Sequence, residues 1–481
     1  MSERNGVATT LAAATLVGLY GVVVAGTADA VANAEATCTT WPTCTGRLLP
    51  SLHRGWRSLL AWSHRAAVLL VAVLLVATTV AALRERRSFR AVAALAVAAV
   101  LYPGEVVVGR VVFRTGSDAT LHFALAAVIV FDVLAALVWL LDAERAAETP
   151  SPASALGGAP AVGGTQPDAT STPTDATPTP TDATPTPTDV TPAPSSFPRL
   201  RAYGSLMKLK LSWLLCLVAL AAMVLARGAS LDPVTAAGTL LGGVLAVGAS
   251  GTFNHVLERG RDAEMARTAD RPLATRSVPV RNAVAFGVAL LVLSVATFVA
   301  FGNALAAALG VGAIAFYTVG YTVVLKPNTT WNTFVGGAVG AFPALIGWAA
   351  VTGDVGTPAL ALGAVVLCWT PAHFHNLALA YREDYANAGY PMLSVVRGPA
   401  VTRRRVVWFL GLTLLATVAF AALTHPGVGF ALATTAATGV FAVTVLRLHR
   451  ERTDAAAMRS FHASNVFLAT VLCAVVLGGV V

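Results

Sequence analysis

The chain has 481 residues, 56% of them hydrophobic and only 12% charged, with a mean hydropathy of +0.70. That balance excludes an ordinary soluble globular protein, in which about 25% of residues are charged. The formal net charge of +9 reads as a membrane-topology signal, so no nucleic-acid partner is expected.

Uncharged runs of about 18 or more residues mark helices that span a bilayer. Such runs lie near 7–26, 65–83, 91–109 and 121–141, and then near 211–226, 233–256, 280–301, 303–325, 332–351, 357–380, 405–423, 427–446 and 461–480. The predicted fold class is therefore an all-α polytopic membrane protein. It comprises a four-helix membrane domain (1–145), a disordered linker (146–198) and a nine-helix domain (199–481). The first run has Arg4 before it and "ADA" and "AEA" after it, as a signal peptide would. Its apolar core exceeds the usual length of about 7–15 residues, so it reads as a spanning helix.

The loop after the first run holds "CTTWPTC", with Cys38 and Cys44. His64 of "WSHR" opens the second span and His122 of "TLHFALAAV" opens the fourth. Two histidines at one depth of a four-helix bundle are candidate axial ligands of a heme. The plainer alternative is a pair of polar residues at the membrane interface. Zinc is not expected, because no second Cys or His pair has ligand spacing.

The stretch "TPTDATPTPTDATPTPTDVTPAP" repeats every seven residues and has no apolar face to bury. It reads as a flexible tether. An O-glycosylated stalk has similar composition, but topology places the tether inside. Short cytoplasmic loops accumulate Lys and Arg. Here Arg84, Arg86, Arg87 and Arg90 mark one face of the first domain. In the second, alternate loops carry Arg259 to Arg276, Lys326, Arg382 to Arg405 and Arg447 to Arg459, while the intervening loops offer only Arg227. The tether is thus expected in the cytoplasm and the loop from 27 to 58 outside, where a Cys38–Cys44 disulfide would persist.

In "FNHVLERGRDAEMARTADRPLAT", Asn254, Glu258 and Asp262 are spaced by four and share one helical face. A row of hard oxygen ligands suits Mg²⁺, which completes its shell with water and substrate phosphate. The plainer alternative is a helix end whose acids pair with neighbouring arginines. A second cluster, "WTPAHFHNLALAYREDYANAGYPML", places His373, His375 and Asn376 within a span and Arg382, Glu383 and Asp384 at its end. Asn376 and Asp384, eight residues apart, are expected to share a face. Polar residues inside a membrane mark function. Two acidic helix ends beside arginine-bearing loops form a diphosphate cradle, with metal ions bridging the phosphates.

"N-x-x-x-E-x-x-x-D" followed by "MARTADRPL" resembles the first acidic motif of the intramembrane aromatic prenyltransferases, and nine helices suit their architecture. More narrowly, "M-x-R-T-x-x-R-P-L", "YTVVLKPNTTWNTFVGG…GAFPALIGW" and "PAHFHNLALAYREDYANAGYPML" resemble the heme O synthase (protoheme IX farnesyltransferase) family, over about 200 to 481. Where that family often carries Lys-Pro-Arg, this chain has "LMKLKLSW" with Leu209 at the proline position. Glu258 stands where an aspartate is common and keeps the carboxylate. The resemblance implies Mg²⁺ on Asn254, Glu258, Asp262 and Asp384, with farnesyl diphosphate and protoheme as substrates. It further implies that Arg267, Arg271, Lys326 and Arg382 hold phosphates and that His373, His375 and Asn376 line the substrate site. The product would be heme O, made in the cell membrane at a site facing the cytoplasm.

"C-x5-C", then "W-S-H-R", then a histidine at the fourth span resembles one half of the heme A synthase family, over roughly 6 to 143. This implies heme on His64 and His122 and makes a heme A synthase a candidate partner. Ala61 stands where that family has a glutamate, so little hydroxylation of heme O is expected. Quinone or isoprenoid-lipid prenyltransferases share the acidic motifs and are the alternative within the enzyme class. A heme transport or delivery protein is the alternative outside it. Transport would distribute polar residues through both leaflets, whereas the acids here gather at one end.

Overall fold

The computed structural model describes residues 6–38, 40, 41, 43, 44, 55–115, 119–148 and 197–480. Among the described residues no strand occurs, and thirteen helices are long and apolar enough to cross a membrane. The first group is α1 (Val7–Ala32), α2 (Trp56–Arg84), α3 (Phe89–Thr115) and α4 (Thr120–Glu148). A short helix, Phe197–Leu206, then leads to α5 (Leu209–Arg227), α6 (Pro233–Glu264), α7 (Val280–Phe301) and α8 (Ala304–Ala315). The eighth span continues as a π-helix, Phe316–Leu325. The ninth combines Asn332–Gly336, a 3₁₀ turn and α9 (Phe342–Thr352). Then come α10 (Thr357–Ala380), α11 (Gly398–Thr424), α12 (Gly427–Glu451) and α13 (Asp454–Val480). The Thr/Pro repeat lies outside the described residues.

Local chemistry sets several helix starts. The Asp232 carboxylate accepts from the Thr235 amide at 2.8 Å, and Pro233 follows it as the first residue of α6. Asn303 caps α8 by accepting from the Ala306 amide at 2.9 Å. Helices also outrun the uncharged windows. α6 carries its charged end to Glu264 without a break, so the acidic stripe is helical throughout. α2 begins at Trp56, with Arg57 beside the Trp56 ring. His64 therefore lies more than two turns inside α2, not at its start, because a flanking arginine that ends an uncharged window need not end a helix.

The two helix groups share one buried core that holds Tyr20 and Leu134 together with Phe420, Phe441 and Phe467. Small residues allow the approach. A Cβ at Gly411 of α11 would fall 2.1 Å from a Leu134 methyl, and one at Gly21 of α1 would fall 2.9 Å from Thr435 of α12. Phe131 packs against Trp408 with ring centroids 5.6 Å apart. At one end, Arg450 donates to the Thr10 hydroxyl at 2.9 Å, and Arg404 lies 3.5 Å from Asp142. Because this contact is made by packed helices, a protease site placed within 149–196 is expected to yield two fragments that stay together. Copurification through a tag on either fragment in mild detergent checks it, and separation would refute the shared core.

Candidate active site

The face of α6 predicted to be acidic points inward, with Asn254, Glu258 and Asp262 exposed by only 2%, 5% and 1%. Each side chain meets one cation. The Asn254 Oδ1 accepts from the Lys208 ammonium. The Lys326 ammonium lies 2.6 Å from Glu258 Oε1, and an Arg271 Nη1 lies 2.8 Å from Asp262 Oδ1. Lys208 reaches Asn254 because the chain turns sharply before α5, with Lys208 in the left-handed region at φ 52°. Gly251 lets that turn approach, since a Cβ there would stand 2.8 Å from the Leu206 carbonyl oxygen. Burial pushes the Lys208 ammonium down to about 8.

The same helical face continues away from the acids as Ser250, Val247, Gly243 and Thr239, which line an apolar pocket between α5, α6, α8 and α9. Lys208 and Tyr317 line it too, along with Leu215, Ile314 and Phe342. From Gly251 to Thr239 the helix rises about 18 Å. An oily slot therefore ends directly at a charged head.

The second cluster divides. Asp384 Oδ2 lies 3.4 Å from the Arg267 backbone nitrogen, which ties it to the loop after the first motif. Arg267 itself extends over Tyr381, 5.1 Å from the ring centroid, and Arg382 is exposed. Asn376 and Asp384 do not share a continuous face: α10 ends at Ala380, with Tyr381 as its C-cap, and Asp384 belongs to a separate short helix, Arg382–Asn387. Asn376 is fully buried, with its Nδ2 donating to the Ala372 carbonyl at 2.9 Å and its Oδ1 without a partner. His373 is stacked between Trp369 and Phe461, with centroids at 4.3 and 4.1 Å, and its Nδ1 lies 2.8 Å from the Ser464 hydroxyl. His375 has a buried Nδ1 without a partner and stands 6.1 Å from Phe409.

Residues 215–471 match the UbiA prenyltransferase family. The chain belongs to the UbiA prenyltransferase family. This prenyltransferase is also 46% identical over 475 residues to a protoheme IX farnesyltransferase of Haloarcula marismortui, covering 97% of each chain. It is 41% identical over 280 residues to protoheme IX farnesyltransferase 1 of Saccharopolyspora erythraea, covering 57% of this chain and 89% of that one. A solved digeranylgeranylglyceryl phosphate synthase shows 16% identity and a TM-score of 0.49, covering 59% of this chain and 99% of that one.

The prenyltransferase has a second polar site at the opposite end, in the first helix group. Cys38 and Cys44 are disulfide-bonded. Arg65 clamps their loop by donating to the Thr43 carbonyl at 2.7 Å, to that of Thr40, and to the Glu35 carboxylate. His64 lies against Gly26 and His122 against Gly109, where added Cβ atoms would stand 3.2 and 2.7 Å from the rings. The His64 Nδ1 is buried without a partner. The His122 Nδ1 lies 3.1 Å from Glu105 Oε1 on α3, close but not aligned for a hydrogen bond.

Lys208, His255, Tyr317, Thr322 and Glu105 were not among the expected site residues. His255 is 3% exposed, faces Asp262 at 3.8 Å, and has neither ring nitrogen paired. Lys208 had a signal, since it sits where the Lys-Pro-Arg pattern is expected. Tyr317 and Thr322 had none, because a π-helix shifts which residues face inward.

Proposed function

We propose that the chain transfers the farnesyl group of farnesyl diphosphate to a vinyl group of protoheme, giving heme O and diphosphate. The observation that carries this reading is the single α6 face on which an apolar pocket leads into Asn254, Glu258 and Asp262. A prenyl tail fits the slot and a diphosphate fits the head. The family match to residues 215–471 supports placing the activity in residues 199–481, with 1–145 as a separate domain and 146–198 as the tether.

Mg²⁺ suits the donors. Asn254, Glu258, Asp262 and Asp384 offer only hard oxygens, and three of them already meet a cationic side chain. Among the described residues no three acidic, His or Cys side chains converge on one point. Protein groups alone would therefore not cage an ion here, and water and substrate phosphate would have to complete its shell. When bound, Mg²⁺ would neutralise the diphosphate and make it a better leaving group. Lys208, Arg271 and Lys326 then exchange their present partners for phosphate oxygens, and Arg267 and Arg382 line the rim.

The allylic C–O bond breaks with its electron pair leaving on diphosphate. The apolar walls and the Tyr317 ring keep water from the resulting cation. The vinyl π pair forms the new C–C bond, and water adds to the carbon left electron-poor and loses a proton, which leaves a hydroxyl. We assign heme contact to His375 and the neighbouring Asn376, because the rings around His373 leave it a packing role. The basic loops favour a site on the cytoplasmic face of the cell membrane.

The first domain is proposed to hold a second heme on His64 and His122. The unpartnered His64 Nδ1 and the carboxylate beside His122 Nδ1 favour it, since ligating histidines usually present their other nitrogen to such a group. A heme A synthase is the partner that would consume the product. Membranes holding the chain, given protoheme and farnesyl diphosphate, are expected to yield a heme heavier by one farnesyl group and one hydroxyl. Mass analysis of extracted hemes checks this, and a prenylated quinone or lipid in its place would overturn the acceptor.

A further inference from the structure

The carboxamide of Asn254 has one end that accepts and one that donates, and only the accepting end serves a cation. What fixes the choice lies on the π-helix. The Thr322 hydroxyl donates to the Tyr317 carbonyl at 2.9 Å, five residues back. In an α-helix a threonine reaches the carbonyl three or four back, so the wider π turn creates this bond. With its hydrogen spent, the Thr322 oxygen presents only lone pairs to Asn254, whose Nδ2 lies 3.1 Å away. The Asn254 Oδ1 is thereby turned to the opposite side, where Lys208, which can only donate, occupies it. A flipped amide would set oxygen against oxygen at Thr322 and NH₂ against ammonium at Lys208. Thr322 and Asn254 are sealed from solvent, at 4% and 2% exposure, so water cannot relieve the clash between them.

We propose that Thr322 is a positioning residue: through the Tyr317 carbonyl, it locks Asn254 with its oxygen aimed at the cation and diphosphate. This rests on the diphosphate reading of the site and goes beyond it by giving the π-helix a task. Asn254 is not among the residues lining the apolar pocket, so the lock acts at the charged head of the site. Its loss is therefore expected to weaken cation binding without altering which product forms.

The test uses the full chain in detergent, with Mn²⁺ and inorganic diphosphate as probes and free Mn²⁺ read by electron paramagnetic resonance. Removing a residue that orients a metal ligand weakens binding by about 10–100-fold, and the lower end is expected for Thr322→Val, which keeps the shape and loses the hydroxyl. Thr322→Ser, which keeps the hydroxyl, is expected to restore binding. In a chain carrying Asn254→Asp both side-chain oxygens accept and orientation loses its meaning, so Thr322→Val is expected to cause no further loss there. Wild-type affinity in Thr322→Val would overturn the lock, as would failure of Thr322→Ser to rescue or an equal loss in the Asn254→Asp background. If Thr322→Val does not accumulate, Thr322→Ala carries the same expectation. Absence of diphosphate-dependent Mn²⁺ binding in the unaltered chain is a separate result, and it would remove the cation reading of the whole site.

Discussion

Asp262→Ala and Asp384→Ala are each expected to slow farnesyl transfer by about 10²–10³-fold, the cost of deleting one group that stabilises developing charge, while the chain still inserts and accumulates. The two substitutions test the same idea with different side effects. Asp262 is 1% exposed and holds Arg271 at 2.8 Å, so alanine there also strands a guanidinium and opens a gap. Asp262→Asn separates the effects, because it keeps the volume and one hydrogen bond but removes the charge. Asp384 is half-buried and tied only to the Arg267 amide, so its loss disturbs little packing. The measurement is heme O formed per minute per mole of chain, at the Mg²⁺ concentration that just saturates the unaltered chain. Full activity in Asp384→Ala or Asp262→Asn would remove these carboxylates from the reaction. Raising Mg²⁺ is expected to recover part of the rate if the defect is weak binding, and none if the ion is held but misplaced.

The sequence made the spans and the acidic stripe legible because both depend on short-range regularity. A run of apolar residues has one outcome in a bilayer, and spacing by four has one meaning on a helix. Asn254, Glu258 and Asp262 were accordingly found together. Where the helix changes type or stops, the regularity fails. Asn376 and Asp384 were expected on one face, yet Tyr381 ends α10 between them, and nothing in "NLALAYRED" announces the break. The cations were half legible. Arg271 and Lys326 were named for phosphate, but their resting partners Asp262 and Glu258 depend on loop closure over long separations. Lys208 depends on a left-handed turn that a glycine on another helix makes room for. Glu105 shows the same limit in the first domain. Ala61 leaves no carboxylate one turn before His64 on α2, and the structure supplies one from α3 beside His122 instead.

That carboxylate bears on the remaining expectation. The full chain purified from heme-replete cells is expected to carry heme with a six-coordinate, low-spin spectrum, if His64 of α2 and His122 of α4 both supply an imidazole to the iron. Substrate protoheme at the other end could also copurify, so the assignment rests on variants. His64→Ala or His122→Ala is expected to abolish the low-spin signal or convert it to five-coordinate, and Asp262→Asn is expected to leave it intact. Glu105→Gln is the finer probe. If Glu105 accepts from His122 Nδ1 in the heme-bound chain, it fixes the tautomer and leaves Nε2 for iron, and its loss should weaken heme binding by about 10–100-fold. Reducing the Cys38–Cys44 disulfide is expected to act less, since Arg65 still grips the loop through Glu35 and two backbone carbonyls. Heme O formation should survive the changes to His64, His122, Glu105 and the disulfide, because the farnesyl site lies at the other end of the helices. A chain that purifies without heme, or whose spectrum ignores both histidines, would return His64 and His122 to the role of polar residues near a membrane surface.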